Sequence, residues 1–150
     1  ARRRFVKIAG GLLSAALLYG IFTLAGELSR WLLPFADSGI RDIYGFKSYA
    51  SQLRIFLLML IFIGPGEELF WRGVLQHHLA KCFSPWQGFL LAGFLYGLVH
   101  VGSGNVMLVA AAAVCGFFWG MLYFRFHSLI LNIVSHTAWD LAVFLFFPLN

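Results

Sequence analysis

Charge is what this sequence has least of. Only 11% of its 150 residues are Asp, Glu, Lys or Arg, against 61% hydrophobic, whereas soluble domains carry about 25% charged and about 45–50% apolar residues. A soluble fold of this size could not bury so much apolar surface and still meet water. A water-soluble globular domain is therefore excluded, and a bilayer is the solvent that fits. Cysteine is scarce too. Cys82 and Cys115 match no zinc or redox spacing and read as packing residues or inert thiols. There is no HExxH zinc motif, no alternating pattern of the kind a membrane barrel needs, and no internal repeat. No basic patch continues into an element that could read nucleic acid, which excludes that partner. The net charge of +5 is uneven instead. Arg2, Arg3, Arg4 and Lys7 stand directly before an apolar run, as basic residues do at the cytoplasmic edge of a spanning helix. The uncharged stretch from Ile8 to Gly26 is longer than a signal-peptide core, which favours a spanning helix.

What is there is apolar sequence in five segments: Phe5 to Gly26, Leu53 to Lys81, Pro85 to Val101, Asn105 to Phe124 and Ser128 to Pro148. Each can reach across a hydrocarbon core of about 30 Å at about 1.5 Å per residue, the third being short. Backbone in lipid must satisfy its own hydrogen bonds, so these segments are helices. The fold class expected is an all-α, polytopic transmembrane helical bundle with about five membrane-spanning helices. Residues 27 to 54 break the pattern with Glu27, Arg30, Asp37, Arg41, Asp42, Lys47 and Arg54. They read as an interfacial connector, with Trp31, Tyr44 and Tyr49 suited to a headgroup boundary. The small residues Ala110 to Ala113, Gly116 and Gly120 suit close helix packing, and the fourth segment is assigned no chemistry.

The second segment carries Gly64-Pro-Gly-Glu-Glu-Leu-Phe-Trp-Arg-Gly73. Each charge at bilayer depth costs about 2.5–3.5 kcal/mol on insertion scales, so something must offset it. Glu68 and Arg72 are four apart and can pair on one helical face. Glu67 points about a hundred degrees away with no local partner, and a lone buried carboxylate can serve as a proton acceptor. Glu68–Arg72 is thus read as structural and Glu67 as chemical, with Gly-Pro-Gly loosening the helix beside them. Tyr96 and His100 are again four apart, and Asn132, His136 and Asp140 form a polar stripe on an otherwise apolar segment. Depth links them: at about 1.5 Å per residue, Glu67 and His100 lie about 21–22 Å from the loop joining the second and third segments. Asp140 lies about 22 Å and His136 about 16 Å from the next loop on the same side.

These residues resemble the CAAX-protease and bacteriocin-processing (CPBP) membrane endopeptidases, also called the abortive-infection family. Its first motif, Glu-Glu-x-x-x-Arg, is matched by Glu67, Glu68 and Arg72. Its second, Phe-x-x-x-His, is matched at His100 with Tyr96 in place of Phe. Its third, His-x-x-x-Asn or Asp, is matched by His136 and Asp140. The resemblance covers about residues 50 to 150. It implies that Glu67 acts with His100 to activate water and that His136 and Asp140 stabilise the oxyanion, with Glu68, Arg72 and Tyr96 supporting the site. It implies a peptide or protein substrate, prenylated or bacteriocin-like, in the cell membrane of a prokaryote. An ionised Asp accepts hydrogen bonds only, so either Asp140 is protonated or His136 stabilises the oxyanion with Asp140 behind it.

The expected organisation is one membrane domain over 1–150: an N-terminal helix and charged connector over 1–54 and a CPBP-like catalytic core over 55–150. The expected function is an intramembrane endopeptidase of the glutamic type with no cofactor. The rival readings are a zinc-dependent membrane protease, since Glu67, His100, His136 and Asp140 are all zinc-ligand types, and a non-catalytic immunity or transport protein. Ser103 and Ser135 are disfavoured as nucleophiles, and His77, His78 and His127 read as interfacial. Trp71 and Trp139 read either as substrate-groove residues or as packing aromatics.

Overall fold

The computed structural model describes residues 2–149, with Phe46 described by its backbone only. Helix α1 covers Arg2–Leu32 and α2 covers Ala36–Gly45, followed by a short 3₁₀ turn, Phe46–Tyr49. Helix α3 runs over 52–82, α4 over Pro85–Leu98 with a 3₁₀ extension at Val99–Ser103, and α5 over Val106–Phe126. Helix α6 covers Leu129–Leu141 and widens into a π turn at Ala142–Phe146. No strand occurs among the described residues. Local chemistry sets the helix starts. The side chains of Ser51, Ser84, Asn105 and Ser128 accept from Arg54 N, Gln87 N, Met107 and Leu108 N, and Leu131 N respectively, satisfying amides that a helix leaves unpaired.

The five apolar segments correspond to five helical runs. Three of these, Arg2–Leu32, Val106–Phe126 and Leu129–Phe146, are helices long and apolar enough to cross a membrane. Helix α4 has 14 residues before it tightens. Helix α3 is interrupted in kind: π-helical stretches at Met59–Ile63 and Leu69–Gln76 bracket the α-helical Gly64–Glu68. The amide of Gly64 bonds Met59 O five residues back, so the expected loosening at Gly-Pro-Gly is a widening of the helix, a feature frequent at functional sites.

Helix α1 lies along α6, with Gly11, Ser14, Ala15 and Leu18 on its buried stripe; α4 packs along α5, and α3 is held between α4 and α6. The centre is formed by Leu18, Tyr96, Cys115, Trp119, Trp139 and Val143. The connector differs from expectation at Tyr44. It is buried rather than set at a headgroup boundary, because its hydroxyl donates to Val143 O at 3.2 Å and accepts from Leu149 N at 3.0 Å. Burial raises the Tyr44 pKa from its ordinary value, keeping the donor proton in place. Arg30 Nη2 donates to Leu149 O at 2.6 Å and Tyr19 Oη to Phe147 O at 3.0 Å. Helices α1 and α2 are thereby tied to the end of the chain that carries α6.

Gly64 owes its identity to the close approach of α3 to α6. A Cβ there would fall onto Thr137 Oγ1 and lie 3.1 Å from Thr137 Cβ and 3.2 Å from its Cα. Gly64→Ala is expected to cost about 1–3 kcal/mol by overpacking, read as a lowered melting temperature in detergent. Gly66→Ala, where nothing lies within 4 Å of the added atom, is the control. Equal melting of the two variants would show that the α3–α6 contact yields freely.

Candidate active site

Two groups of polar side chains come together between α3, α4, α5 and α6. The first is centred on Glu68, which is fully buried. Its Oε1 accepts from Arg72 Nη1 at 2.9 Å and from His136 Nδ1 at 2.8 Å, and its Oε2 accepts from Asn132 Nδ2 at 3.0 Å. The i, i+4 pair expected from sequence is thus present and reaches further, to α6. Arg72 Nη2 donates to Gly116 O at 2.9 Å and Gln76 Nε2 to Gly120 O at 2.9 Å. Two side chains four apart on α3 therefore meet two carbonyls four apart on α5. Gly116 also sits where a Cβ would come within 2.9 Å of both Gly93 O and Tyr96 Cβ, so glycine there lets α4 and α5 close up. The buried carboxylate and guanidinium offset one another, and hydrogen bonds to His136, Asn132 and Gly116 O support the pair, as charges in a low-dielectric interior require.

The second group is Glu67, Tyr96 and His100. Tyr96 Oη donates to Glu67 Oε2 at 2.6 Å, so the carboxylate does have a partner, supplied from α4. His100 Nδ1 lies 2.8 Å from Tyr96 O. A carbonyl only accepts, so the hydrogen-bond network assigns the proton to Nδ1 and leaves Nε2 as the acceptor of the neutral ring. Glu67 and His100 line one cavity, and no hydrogen bond joins them directly.

His136 is held on three sides. Nδ1 is bonded to Glu68, Trp119 stacks on its ring at 3.7 Å with the planes 16° apart, and Asp140 Oδ2 stands 3.5 Å from Nε2. Asp140 Oδ2 is buried and makes no hydrogen bond, so it is Glu68 and Trp119 that orient the ring. Among the described residues, no three His, Cys, Asp or Glu side chains converge in a way that could hold a metal ion.

Glu67, Tyr96, His100, His136 and Asp140 all border a cavity of about 470 Å³ whose remaining wall is mainly apolar. That wall draws on α1 and α2 through Phe22, Ile40 and Tyr44, and on α6 through Trp139. Trp139 therefore lines the cavity. Trp71 packs edge-on against Tyr96 at 5.1 Å. Ser135 is fully buried, accepts from Trp119 Nε1 at 3.1 Å and lies 2.8 Å from Ser14 Oγ, which gives it a packing environment. His77, His78 and His127 are exposed, as is Ser103.

Sequence reasoning passed over Trp119, Gln76 and Ser14. Gln76 was findable as the third member of the 68, 72, 76 stripe on α3. Trp119 and Ser14 carry no local signal, because only the packing of α1, α5 and α6 brings them together.

A helical bundle of membrane-spanning length, with ionisable side chains buried around a cavity, is an integral membrane protein built around a polar site. The family model for type II CAAX prenyl endopeptidase Rce1-like proteins matches residues 49–142, and the chain belongs to that family. It is accordingly a membrane endopeptidase, a hydrolase acting on a peptide or protein substrate. No curated protein sequence and no solved structure matches the chain.

Proposed function

We propose that the protein cleaves a peptide bond within the membrane using a water activated by Glu67 together with His100, without a metal ion. The observation that carries this reading is the pairing of two fixed bases on one cavity: a carboxylate with one oxygen engaged by Tyr96, and an imidazole whose Nε2 is left as acceptor. A water between them gives a proton to Glu67 as its oxygen attacks the peptide carbonyl. The C–O bond forms, the C–N bond breaks, and the proton held by Glu67 passes to the departing amine. A His136 ring with protons on both nitrogens donates Nδ1–H to Glu68 and presents Nε2–H beside Asp140, where a developing oxyanion could take it up. Glu68, on Nδ1, then stands behind His136, and Asp140 lies beside Nε2 without donating itself. Residues 1–54 belong to the same membrane domain in this reading, because α1 and α2 complete the cavity wall. The substrate is a membrane-associated peptide, prenylated or bacteriocin-like, and the setting is a prokaryotic cell membrane.

The test is cleavage of a peptide library reconstituted with the protein in vesicles, comparing wild type with His100→Ala, each with and without a chelator. Loss of about a hundredfold or more in the variant is expected, as for removal of a group that positions the attacking water, with no chelator effect. A variant as active as wild type would remove His100 from the mechanism, and inactivation by chelator would make the chemistry metal-dependent.

A further inference from the structure

Tyr96 is the one residue bonded to both members of the Glu67–His100 pair: its hydroxyl donates to Glu67 Oε2 and its main-chain carbonyl accepts from His100 Nδ1. Its ring has little room to move. It is buried on α4, with Trp71 edge-on at 5.1 Å, His100 at 5.3 Å and the Arg72 guanidinium 5.0 Å from the ring centre. Gly116 of α5 lies so close that a Cβ there would come within 2.9 Å of Tyr96 Cβ. A phenol buried in this way needs a hydrogen-bond partner, and among the described residues the only one its hydroxyl has is Glu67. The 2.6 Å separation falls in the range of charge-assisted O–H···O⁻ bonds, which are stronger than neutral ones. The motif that the sequence resembles has phenylalanine here, which supplies the ring and no donor.

We infer that Tyr96 is a positioning residue whose hydroxyl pins Oε2 of Glu67 and fixes the carboxylate in one orientation, leaving Oε1 as the single oxygen able to take a proton. The consequence for turnover rests on the reading of Glu67 as the base. The orientation itself does not, and can be measured without activity. Glu67 is half-buried, at the junction where α3 changes from α-helical to π-helical. Without the phenol its flexible side chain would have two equivalent oxygens and several orientations. A base held in the reactive geometry accelerates the chemical step and leaves substrate binding unchanged, so its loss appears in kcat rather than in KM.

Tyr96→Phe removes one oxygen atom from a ring that is otherwise packed as before. The first readout is infrared difference spectroscopy on the carboxylate stretches of isotope-labelled glutamate, with Glu67→Gln used to assign the Glu67 band. The second is steady-state cleavage in vesicles. The expected result is a shifted Glu67 band together with a kcat lowered about tenfold and a KM within about twofold of wild type. A band that stays in place shows that the bond does not exist and overturns the inference. A shifted band with unchanged kcat in an active enzyme overturns the positioning role. A shifted band beside a kcat that Glu67→Gln leaves unchanged overturns the reading of Glu67 as the base and supports the inference about its orientation. Should the variant fail to fold, 3-fluorotyrosine at position 96 keeps the hydroxyl and strengthens it as a donor. It is expected to shift the band in the opposite sense, and an unmoved band overturns the inference.

Discussion

Glu67→Gln is expected to lower kcat about 10²–10⁴-fold, the range associated with loss of a general base, while the protein stays folded. Folding survives because glutamine keeps the length of the side chain and an oxygen that can accept from Tyr96 Oη, the one hydrogen bond that the Glu67 side chain makes among the described residues. The neighbouring carboxylate sharpens the comparison. Glu68 is fully buried and bonded to Arg72, Asn132 and His136, so Glu68→Gln should lower stability as well as rate. Two adjacent residues, substituted identically, are thus expected to fail in different ways. The measurement is cleavage in vesicles beside thermal melting in detergent for both variants. Equal cleavage by Glu67→Gln and wild type would end the assignment of Glu67 as the base.

Arg72→Met carries the largest expected effect on stability, about 3–5 kcal/mol, the cost of removing one partner of a buried ion pair. Without the guanidinium, the Glu68 carboxylate remains in the interior with only Asn132 and His136, and Gly116 O loses a donor. Glu68→Gln/Arg72→Met removes both charges and should recover part of that loss, since the uncompensated charge and not the missing pair makes up much of the cost. Melting curves of the single and double variants measure the difference. If Arg72→Met melts like wild type, the pair contributes nothing to stability.

Much of the bundle could be read from apolar run length and from the short polar breaks. Caps such as Ser84 and Asn105 lie at segment starts, so those helix boundaries fell close to the expected ones, whereas α1 continues past the expected end at Gly26 to Leu32. The Glu68–Arg72 pair was legible because i, i+4 spacing is local geometry. The reach of Glu68 to His136 and Asn132 was not, because it depends on how α3 and α6 lie against each other. Helix type was hidden as well. Apolar composition marks 52–82 as helical, but it does not distinguish the π-helical stretches Met59–Ile63 and Leu69–Gln76 from α-helix. The burial of Tyr44 escaped for a similar reason: an aromatic in a charged connector looks interfacial until the chain end folds back onto its hydroxyl.

The cavity has two kinds of wall. Its polar end comes from 67–140, within the stretch that the family shares, while Phe22, Ile40 and Tyr44 close it from outside that stretch. Part of the cavity's fit is therefore written outside the stretch that holds its polar end. Substitutions in the first forty-eight residues can reshape the cavity without touching the polar side chains at its other end, so a lineage of such proteins can diversify what it admits while that polar end stays constant.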